Sequence, residues 1–526
     1  MMNKFNKKLS AIIIVFISAG AIILIVGFLP GFSNTKRVAF NELPTWEVSN
    51  PVSTLFVMDS IPPTAGSLAA GDSTVPNEYL IDPAIDTLFL MMEAKEIYFH
   101  KTIQHPSGIV GSDNVVILKG NFQWTSRNTT STDRIKGLIW HILNHPDGFT
   151  GEIVICDNTQ DIGTGIGDND NNSEDELQSI DEVVSVFYSK GYPVYISDWS
   201  NIWDDVSQEY SSGDYNDGFV YEPSSKVSYP KFLTPSGNHY VSLRYGVWSQ
   251  STQQYNSEKL CIIDIPVLKA HSWAGATIAI KNWIGVLTTA YANSRYGGFN
   301  PMHDQYFFGP YALVAKVMAA TYPKLTIIDA AWTTCKGPVN LNEVENTKML
   351  LASTDPVAAS WYAAKFILTP IAVYPIHTNP DNEGGNYYNI IGPWTSCLQD
   401  SGFACTKDSS KMSVYDRNVL SVNLIDQNKI LPVKHFALFQ NYPNPFNNQT
   451  VIKFELKKSE AVKLIIYDIN GKVVKTLVGD EALDAGQYSF NWDGKSDAGK
   501  DVSSGVYFYR LSTRNADKTM TMILEK

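Results

Sequence analysis

The chain has 526 residues, which is too long for one ordinary hydrophobic core, so we expect two or more domains. Hydrophobic residues make up 44% of the sequence and charged residues 18%, a composition that excludes a largely disordered protein. The formal net charge of -12 argues against a nucleic-acid-binding protein, because contacts with phosphates need a basic surface.

The amino-terminal segment predicts export. A basic stretch, MMNKFNKKLS, precedes an apolar run from Ala11 to Leu29. This order is typical of a signal peptide, and the run is also close to the length that spans a bilayer. We therefore expect residues 1–31 to be a signal peptide or a membrane anchor. In both cases we expect the rest of the chain to lie outside the cytoplasm.

The middle of the chain alternates between apolar strand-like runs and amphipathic helical segments. The strand-like runs are NVVILK, EIVICD, YPVYISD, LCIIDIPV and LTIIDA, and one helix start is marked by Asp355 followed by Pro356. This alternation predicts an α/β domain with a parallel sheet covered on both faces. A stretch at about 199–257 is rich in Trp and Tyr, which predicts an aromatic-packed insertion or a sugar-binding cleft.

Neither the cysteines nor the acidic loop predicts a metal centre. None of the five cysteines stands in a C-x-x-C motif, so an iron–sulfur cluster is not expected and no cofactor is predicted. Cys397 and Cys405 flank a short loop, and we expect a disulfide between them in an oxidising compartment. Residues 168–172 alternate as in a calcium loop, but Ser173 replaces the required glycine, so a solvated loop is preferred to a calcium site.

The stretch LKAHSWAGATIAIKN, residues 268–282, places several polar side chains in an apolar setting. It follows a predicted strand, and in parallel sheets ligands bind just past the carboxyl ends of strands. A helix starting near residues 275–277, capped by Thr277, would turn its amino terminus toward the same crevice. The predicted site is a crevice for an anion, with two residue sets. The catalytic candidates are His271 and Lys281. The ligand-binding candidates are Lys119, Asn121, Asp264, Lys269, Thr277 and Asn282.

The last ninety or so residues predict a second, all-β domain. VIKFELKK alternates apolar and polar residues, and VKLIIYDINGKVVKTL contains the Asn470-Gly471 pair that is typical of a hairpin turn. Further short strands follow at regular spacing, with no helical pattern between them. We therefore expect an immunoglobulin-like sandwich at 436–526, joined through a connector at 406–435.

Two family resemblances rest on these motifs. The central region, with VVILKGN, DIPVLKAHSWAGATIAIKNWIG and MLLASTDPVAAS, resembles the domain-of-unknown-function 362 family over roughly 115–368. The resemblance implies a parallel α/β domain without an established reaction. Many members carry an iron–sulfur segment that this chain lacks. The carboxy-terminal region, with NYPNPFN, YDINGKVV and KTMTMILEK, resembles the type A sorting domain of type IX secretion substrates.

The sequence thus predicts an exported protein, secreted or on the cell surface. Residues 32–405 form the α/β domain with its anion-binding or catalytic crevice, and the sandwich directs type IX secretion. The expected partners are the secretion machinery and a small anionic ligand, with no nucleic acid. Whether the chain is an enzyme stays open, and the alternative is a non-enzymatic surface module that binds a glycan or a small anion.

Overall fold

A computed structural model gives the structure of the chain. It describes residues 11–18, 21–28, 43–62, 68, 71–123, 127, 129–159, 166, 178–203, 205–287, 312–337, 343–423, 436–439, 441, 443–456, 458–469, 471–513 and 517–526. The chain divides into two units, Met1–Asn41 and Glu42–Lys526. In the first unit the strands Ala11–Ser18 and Ala21–Phe28 pair in antiparallel fashion. Within the described residues, no helix has the length and apolar character needed to cross a membrane.

A mixed β-sheet forms the centre of the second unit. Its described strands, in chain order, are β1 (Ser53–Met58), β2 (Val115–Lys119), β3 (Glu152–Asp157), β4 (Val194–Asp198), β5 (Leu260–Asp264), β6 (Val267–His271), β7 (Gly275–Thr277), β8 (Leu325–Thr334), β9 (Val344–Ser353) and β10 (Met412–Tyr415). Their spatial order is β10-β1-β9-β8-β5-β2-β3-β4. Strand β6 also pairs with β7 and β8.

The sheet is mixed, so the prediction of a parallel sheet was wrong in part. Strands β8, β5, β2, β3 and β4 run parallel, as the alternation of strands and helices predicts. Strand β9 is antiparallel to both β8 and β1. The physical reason is the short connection between β8 and β9, because a parallel return needs a crossover of a dozen or more residues.

Helices cover the sheet. In chain order the described α-helices are Pro83–Glu93, Thr132–Leu143, Ile180–Ser189, Ala279–Asn282, Leu313–Ala320, Pro356–Tyr362, Thr369–Ile371, Pro375–Thr378, Asn386–Asp400 and Asn418–Asn423. A π-helical segment spans Ala363–Leu368. The described 3₁₀ turns are Asn77–Leu80, Trp199–Ile202, Tyr210–Ser212, Ser257–Lys259, Trp283–Val286 and Ser409–Lys411. The predicted helix start at Asp355 is confirmed, since its carboxylate accepts bonds from the Val357 and Ala358 amides.

The aromatic stretch forms its own sheet. The strands are Val206–Ser207, Gly218–Glu222, Val227–Leu233, Tyr240–Ser242, Gly246–Ser249 and Gln254–Asn256. The Tyr210 ring is buried and lies within aromatic contact distance of Tyr215, Tyr240 and Trp248. These rings therefore pack against each other, which favours the packed insertion over a sugar cleft. A further short pair joins His100–Lys101 to Val110–Gly111.

The central domain extends beyond its predicted boundary at residue 405. Strand β10 lies in the stretch that the sequence assigned to the connector, and it pairs in parallel with β1 at the sheet edge. The helix Asn418–Asn423 follows it. The sequence does not indicate this strand, because MSVY is a short run and its pairing partner, Ser53–Met58, lies near the other end of the domain sequence.

The carboxy-terminal domain is a β-sandwich with antiparallel sheets. One sheet contains Phe436–Leu438, Thr450–Leu456 and Gly486–Trp492, and the other contains Glu460–Tyr467, Val473–Leu483, Gly505–Thr513 and Asp517–Leu524. Apolar side chains from both sheets form a core separate from that of the central domain. Gly471 adopts a φ of 75° at the predicted hairpin turn, while Asn470 lies outside the described residues.

The NYPNPFN motif, residues 441–447, lies against the last strand of the sandwich. The Tyr509 hydroxyl accepts a hydrogen bond from the Asn441 amide at 2.9 Å and donates one to the Phe439 carbonyl at 2.8 Å. The Ile523 amide donates to Asn444 Oδ1 at 2.7 Å. These bonds fix an irregular segment to the last two strands of the sandwich, and the Asn444 side chain supplies one of the acceptors.

The expected disulfide is not formed in this structure. Cys397 and Cys405 are both free thiols. Cys405 is buried, and its Sγ lies 3.9 Å from the Thr395 carbonyl oxygen. Cys397 sits near the end of the helix Asn386–Asp400 and is partly exposed. The spacing of the two cysteines in the sequence does not fix how their sulfur atoms are directed, which is why it could not decide the pairing.

Candidate functional site

Three neighbouring parallel strands end in charged residues. Strand β2 ends at Lys119, which is aligned with Asp264 at the end of β5 on one side and with Cys156 of β3 on the other. Asp157 follows Cys156. Strands β2, β3 and β5 are fully buried and, apart from Glu152 at the start of β3, apolar up to this point. Their carboxyl ends therefore bring three ionisable side chains together inside the protein. This is the edge of the sheet at which the sequence predicts the site.

Lys119 and Asp157 form a buried ion pair. The distance from Lys119 Nζ to Asp157 Oδ1 is 2.7 Å, and both side chains are almost fully buried. Lys119 Nζ also donates to the Gly120 carbonyl at 2.7 Å and to Asn282 Oδ1 at 3.3 Å. An ammonium has three donors, and all three are used. Lys119 therefore holds the site together, and its role in binding a ligand stays a prediction.

Asn282 connects the polar residues around this ion pair. Its Nδ2 donates to Asp264 Oδ1 at 2.8 Å and to the Gly120 carbonyl at 3.1 Å. Its Oδ1 accepts from Lys119 and, at 3.0 Å, from Asn121 Nδ2. The donors and acceptors of the amide are thus fully used. Asn282 therefore orients its neighbours, and its role in binding a ligand stays a prediction.

Burial raises the pKa of both carboxyl groups in the site. Asp157 has a raised pKa because it is desolvated, and the neighbouring Lys119 partly offsets the effect. Burial raises the pKa of Asp264 to about 7, although Lys119 and the side chains of Asn282 and Trp283 lower it in part. Near neutral pH the Asp264 carboxyl group is therefore protonated in part of the molecules and ionised in the rest. Asp157 is the carboxyl group that lies closer to the Lys119 ammonium.

Gly285 leaves room for the ion pair. A Cβ atom at this position would stand 2.3 Å from Asp157 Oδ1 and 2.9 Å from Lys119 Nζ. Gly285 lies in the 3₁₀ turn Trp283–Val286 that follows the short helix carrying Lys281. The turn can approach the buried charges this closely only because the residue has no side chain.

Gly285→Ala is expected to destabilise the chain by about 2 kcal/mol, because an added methyl group has to displace a buried ion pair. Urea unfolding followed by tryptophan fluorescence measures the effect. Gly392→Ala is the matched control: Gly392 lies inside a helix with open space around its Cβ position, so alanine there should stabilise by up to about 1 kcal/mol. Equal effects of the two changes would contradict the steric argument.

Lys269 and Lys281 are the two lysines of the predicted site that lie outside the Lys119–Asp157 ion pair. Lys269 Nζ donates to Asn121 Oδ1 at 2.8 Å, and the residue is 2% exposed. Lys281 is 9% exposed, and no hydrogen bond or ion pair joins it to any residue that the structure describes. Burial lowers the pKa of Lys281 to about 7. Burial also lowers the pKa of Lys269 to about 7, and the nearby positive charge of Lys281 adds to the effect.

Thr277 was predicted to cap a helix, and that prediction was wrong. It lies in β7, directly opposite Lys269 in the antiparallel pair with β6. The short helix begins at Ala279, and its N-cap residue is Ile278, without a side-chain bond. Residues directly opposite in such a pair project from the same face, so the Thr277 hydroxyl shares a face with the Lys269 side chain. Its Oγ1 is buried without a hydrogen-bond partner among the described residues.

His271 shapes the turn between β6 and β7. Its Nδ1 accepts hydrogen bonds from the Trp273 amide at 3.1 Å and the Ala274 amide at 3.2 Å. A ring nitrogen that accepts two bonds carries no proton, so the ring is held in one tautomer. This geometry gives His271 a role in forming the turn. Its proposed role as a general acid or base stays a prediction.

Two residues that matter most to this arrangement are absent from the predicted site. Asp157 ends the predicted strand EIVICD, but its contact with Lys119 depends on the register of β2 and β3, which the sequence does not show. Gly285 gave no signal beyond a glycine in an apolar run.

No group of His, Cys, Asp and Glu in the described part of the chain is arranged to hold a metal ion. The candidate calcium loop at 168–172 lies outside the described residues.

Comparison with known families bears on both domains. Residues 176–365 match the family model described as Domain of unknown function (DUF362), which confirms the predicted resemblance of the central region over a shorter stretch than expected. Residues 443–517 match the model of the FlgD Ig-like domain rather than a sorting-domain model. No curated protein matches the chain.

Three solved structures illustrate the similarities. PorZ of Porphyromonas gingivalis, described as an essential surface component of its type IX secretion system, is 18% identical, with 17% of this chain and 12% of PorZ covered and a TM-score of 0.14. PorU of the same species is 19% identical, with 22% and 10% covered and a TM-score of 0.15. FlgD of Xanthomonas campestris is 28% identical, with 17% and 70% covered and a TM-score of 0.12. The chain thus spans only a small part of PorZ and PorU, and TM-scores this low carry no inference about function.

Proposed function

We propose that this is an exported protein whose central domain binds a small anion between Lys269 and Lys281, and whose sandwich directs type IX secretion. The observation that carries the first part is Lys281, a buried lysine without an ion pair or hydrogen bond among the described residues. A buried ammonium is costly unless an opposite charge accompanies it. The neighbouring Lys269 makes this cost larger, and a bound anion would offset both charges.

The surrounding groups support an anion of small size. Lys269 is held in place by Asn121, which is itself held by Asn282. The unpartnered Thr277 hydroxyl on the same face as Lys269 supplies a neutral donor for an oxygen atom of the ligand. Two ammonium groups and a hydroxyl match the needs of a carboxylate, a sulfate or a phosphate.

Sulfate is expected to bind more weakly as the pH rises through about 7, because Lys269 and Lys281 then lose their protons. Sulfate keeps its charge over this range, so a change in affinity reports on the protein. The slope approaches about tenfold per pH unit for each lysine that titrates. Calorimetric titration of the full chain between pH 6 and pH 9 measures it.

Two variants make this titration specific. Lys281→Met should weaken sulfate binding at least tenfold at pH 6. Lys411→Met, which removes an exposed lysine of the same domain, should leave the affinity unchanged. Binding that is independent of pH, or equal losses in the two variants, would refute the proposed anion site.

The second part of the proposal rests on the NYPNPFN motif and the sandwich to which it is fixed. Deletion of residues 436–526 is expected to leave the protein in the periplasm of a host that has type IX secretion. Fractionation and immunoblotting of the full chain and the truncated chain measure this. The sandwich has its own hydrophobic core, so its removal should leave the central domain folded. Recovery of the truncated chain on the cell surface or in the medium would contradict a sorting role.

A further inference from the structure

The amine of Lys281 differs from the other charged groups of the site in having no partner among the residues that the structure describes. Lys119 has all its donors occupied, and Lys269 is bonded to Asn121. Lys281 Nζ is joined by no hydrogen bond or ion pair to the described residues, although the side chain is nine-tenths buried. A lysine that is desolvated and placed beside another cation is the arrangement that makes an amine nucleophilic at neutral pH.

We propose that Lys281 forms an imine with the carbonyl group of a small 2-oxo acid, whose carboxylate binds to Lys269 and Thr277. The inference rests on the proposed anion site and names the class of ligand for it. The carboxylate supplies the anion that Lys269 attracts, and the Thr277 hydroxyl donates to one of its oxygens. The carbonyl carbon, next to the carboxylate, then faces the free amine.

The step balances without a further reagent. The neutral Lys281 nitrogen attacks the carbonyl carbon, forming a C–N bond, while a proton moves from nitrogen to the carbonyl oxygen. The resulting carbinolamine loses its hydroxyl group and the remaining nitrogen proton as water, which leaves a C=N bond. No oxidation or reduction occurs. Close to its pKa of about 7, Lys281 is neutral in a large fraction of molecules at physiological pH.

Lys269 binds the carboxylate and Lys281 forms the imine, because the surroundings of the two side chains differ. Lys269 has a fixed hydrogen bond to Asn121, which orients the ammonium toward a carboxylate. Lys281 has no such bond within the described part of the chain, so its amine can turn toward a carbonyl carbon. Thr277 lies opposite Lys269 in the β6–β7 pair, and it is therefore a positioning residue for the carboxylate rather than for the reacting atoms.

The test is to trap the imine on the full chain. The protein is incubated with pyruvate and then with borohydride, which reduces an imine to a stable secondary amine. Intact mass followed by peptide mapping is expected to show one adduct per chain, located at Lys281. Acetone, a ketone without a carboxylate, should label Lys281 at least tenfold more slowly. Sulfate, which binds against the same amine, should suppress the labelling of Lys281 by both pyruvate and acetone.

Variants assign the roles. Lys281→Met should abolish the adduct, Lys411→Met should retain it, and Lys281→Arg serves if the methionine variant does not fold, since arginine keeps the charge and forms no imine here. Thr277→Val should slow labelling by pyruvate and leave labelling by acetone unchanged. Labelling spread over surface lysines, or equal rates with pyruvate and acetone, would overturn the proposal. Intact sulfate binding together with an unlabelled Lys281 would overturn the imine and leave the anion site standing.

Discussion

Asp157→Ala is expected to destabilise the protein by about 3–5 kcal/mol, because it leaves the Lys119 ammonium buried without its counter-charge. The two side chains are 1% and 3% exposed, so water cannot replace the lost carboxylate. The same change also removes the acceptor for the Phe122 and Asn158 amides. Urea unfolding, followed by tryptophan fluorescence and circular dichroism, measures the loss.

A surface ion pair in the same domain provides the control. Asp113 lies 3.6 Å from Lys259 Nζ with both side chains largely exposed, so Asp113→Ala should cost less than about 1 kcal/mol. The double change Lys119→Met with Asp157→Ala should recover part of the stability lost in Asp157→Ala, since no charge then stays buried. A single Asp157→Ala variant as stable as Asp113→Ala would show that the ion pair does not support this edge of the sheet.

Lys281→Met is expected to raise the stability at pH 7 by an amount on the order of 3 kcal/mol while it removes anion binding. The pKa of Lys281 is lowered from 10.5 to about 7, so folding disfavours the charged form. Methionine fills a similar volume without a charge. Thermal unfolding of the two proteins in the absence of sulfate measures the gain.

The stability difference between Lys281→Met and the wild type is expected to change with pH. Below about pH 7 the lysine is charged in both the folded and the unfolded states, so the destabilisation is fully present. Between about pH 7 and 10.5 the unfolded chain binds more protons than the folded one, and the stability of the wild type rises relative to Lys281→Met. The advantage of the variant should therefore shrink as the pH rises through this window. An advantage that stays constant from pH 6 to pH 10 would mean that Lys281 is not titrating in the folded protein.

Local sequence patterns predicted the individual strands and helices of this fold better than they predicted which strands pair with each other. The apolar runs that became β2, β3 and β5 are continuous and fully buried, and such runs identify parallel strands without any knowledge of the rest of the chain. The antiparallel strand β9 and the edge strand β10 depend on which segments are adjacent in space. Periodicity along the chain does not contain that information.

The candidate site shows the same division. Five of the predicted site residues are joined by hydrogen bonds, because parallel strands end at one edge of a sheet. These residues are Lys119, Asn121, Asp264, Lys269 and Asn282. Their roles could not be predicted, since these depend on how many bonds each group makes. Lys119 and Asn282 are fully bonded, whereas Lys281 has no partner among the described residues. Thr277 was predicted in a helix, but it lies in β7, which pairs with β6. The turn that makes this pairing possible ends at Gly275, whose φ is 76°, and the sequence alone does not show that conformation.

The contact between residues 441–447 and the last strand has a consequence for the order of events when the chain is made. Ile523, whose amide bonds to Asn444, follows that residue by 79 positions in the chain. Because a chain is synthesised from its amino end, the motif cannot reach its final conformation until the strand Asp517–Leu524 has been made. The described strands of the central sheet end at Tyr415 and are therefore available earlier. The sandwich is thus expected to complete its fold after the central sheet has all of these strands.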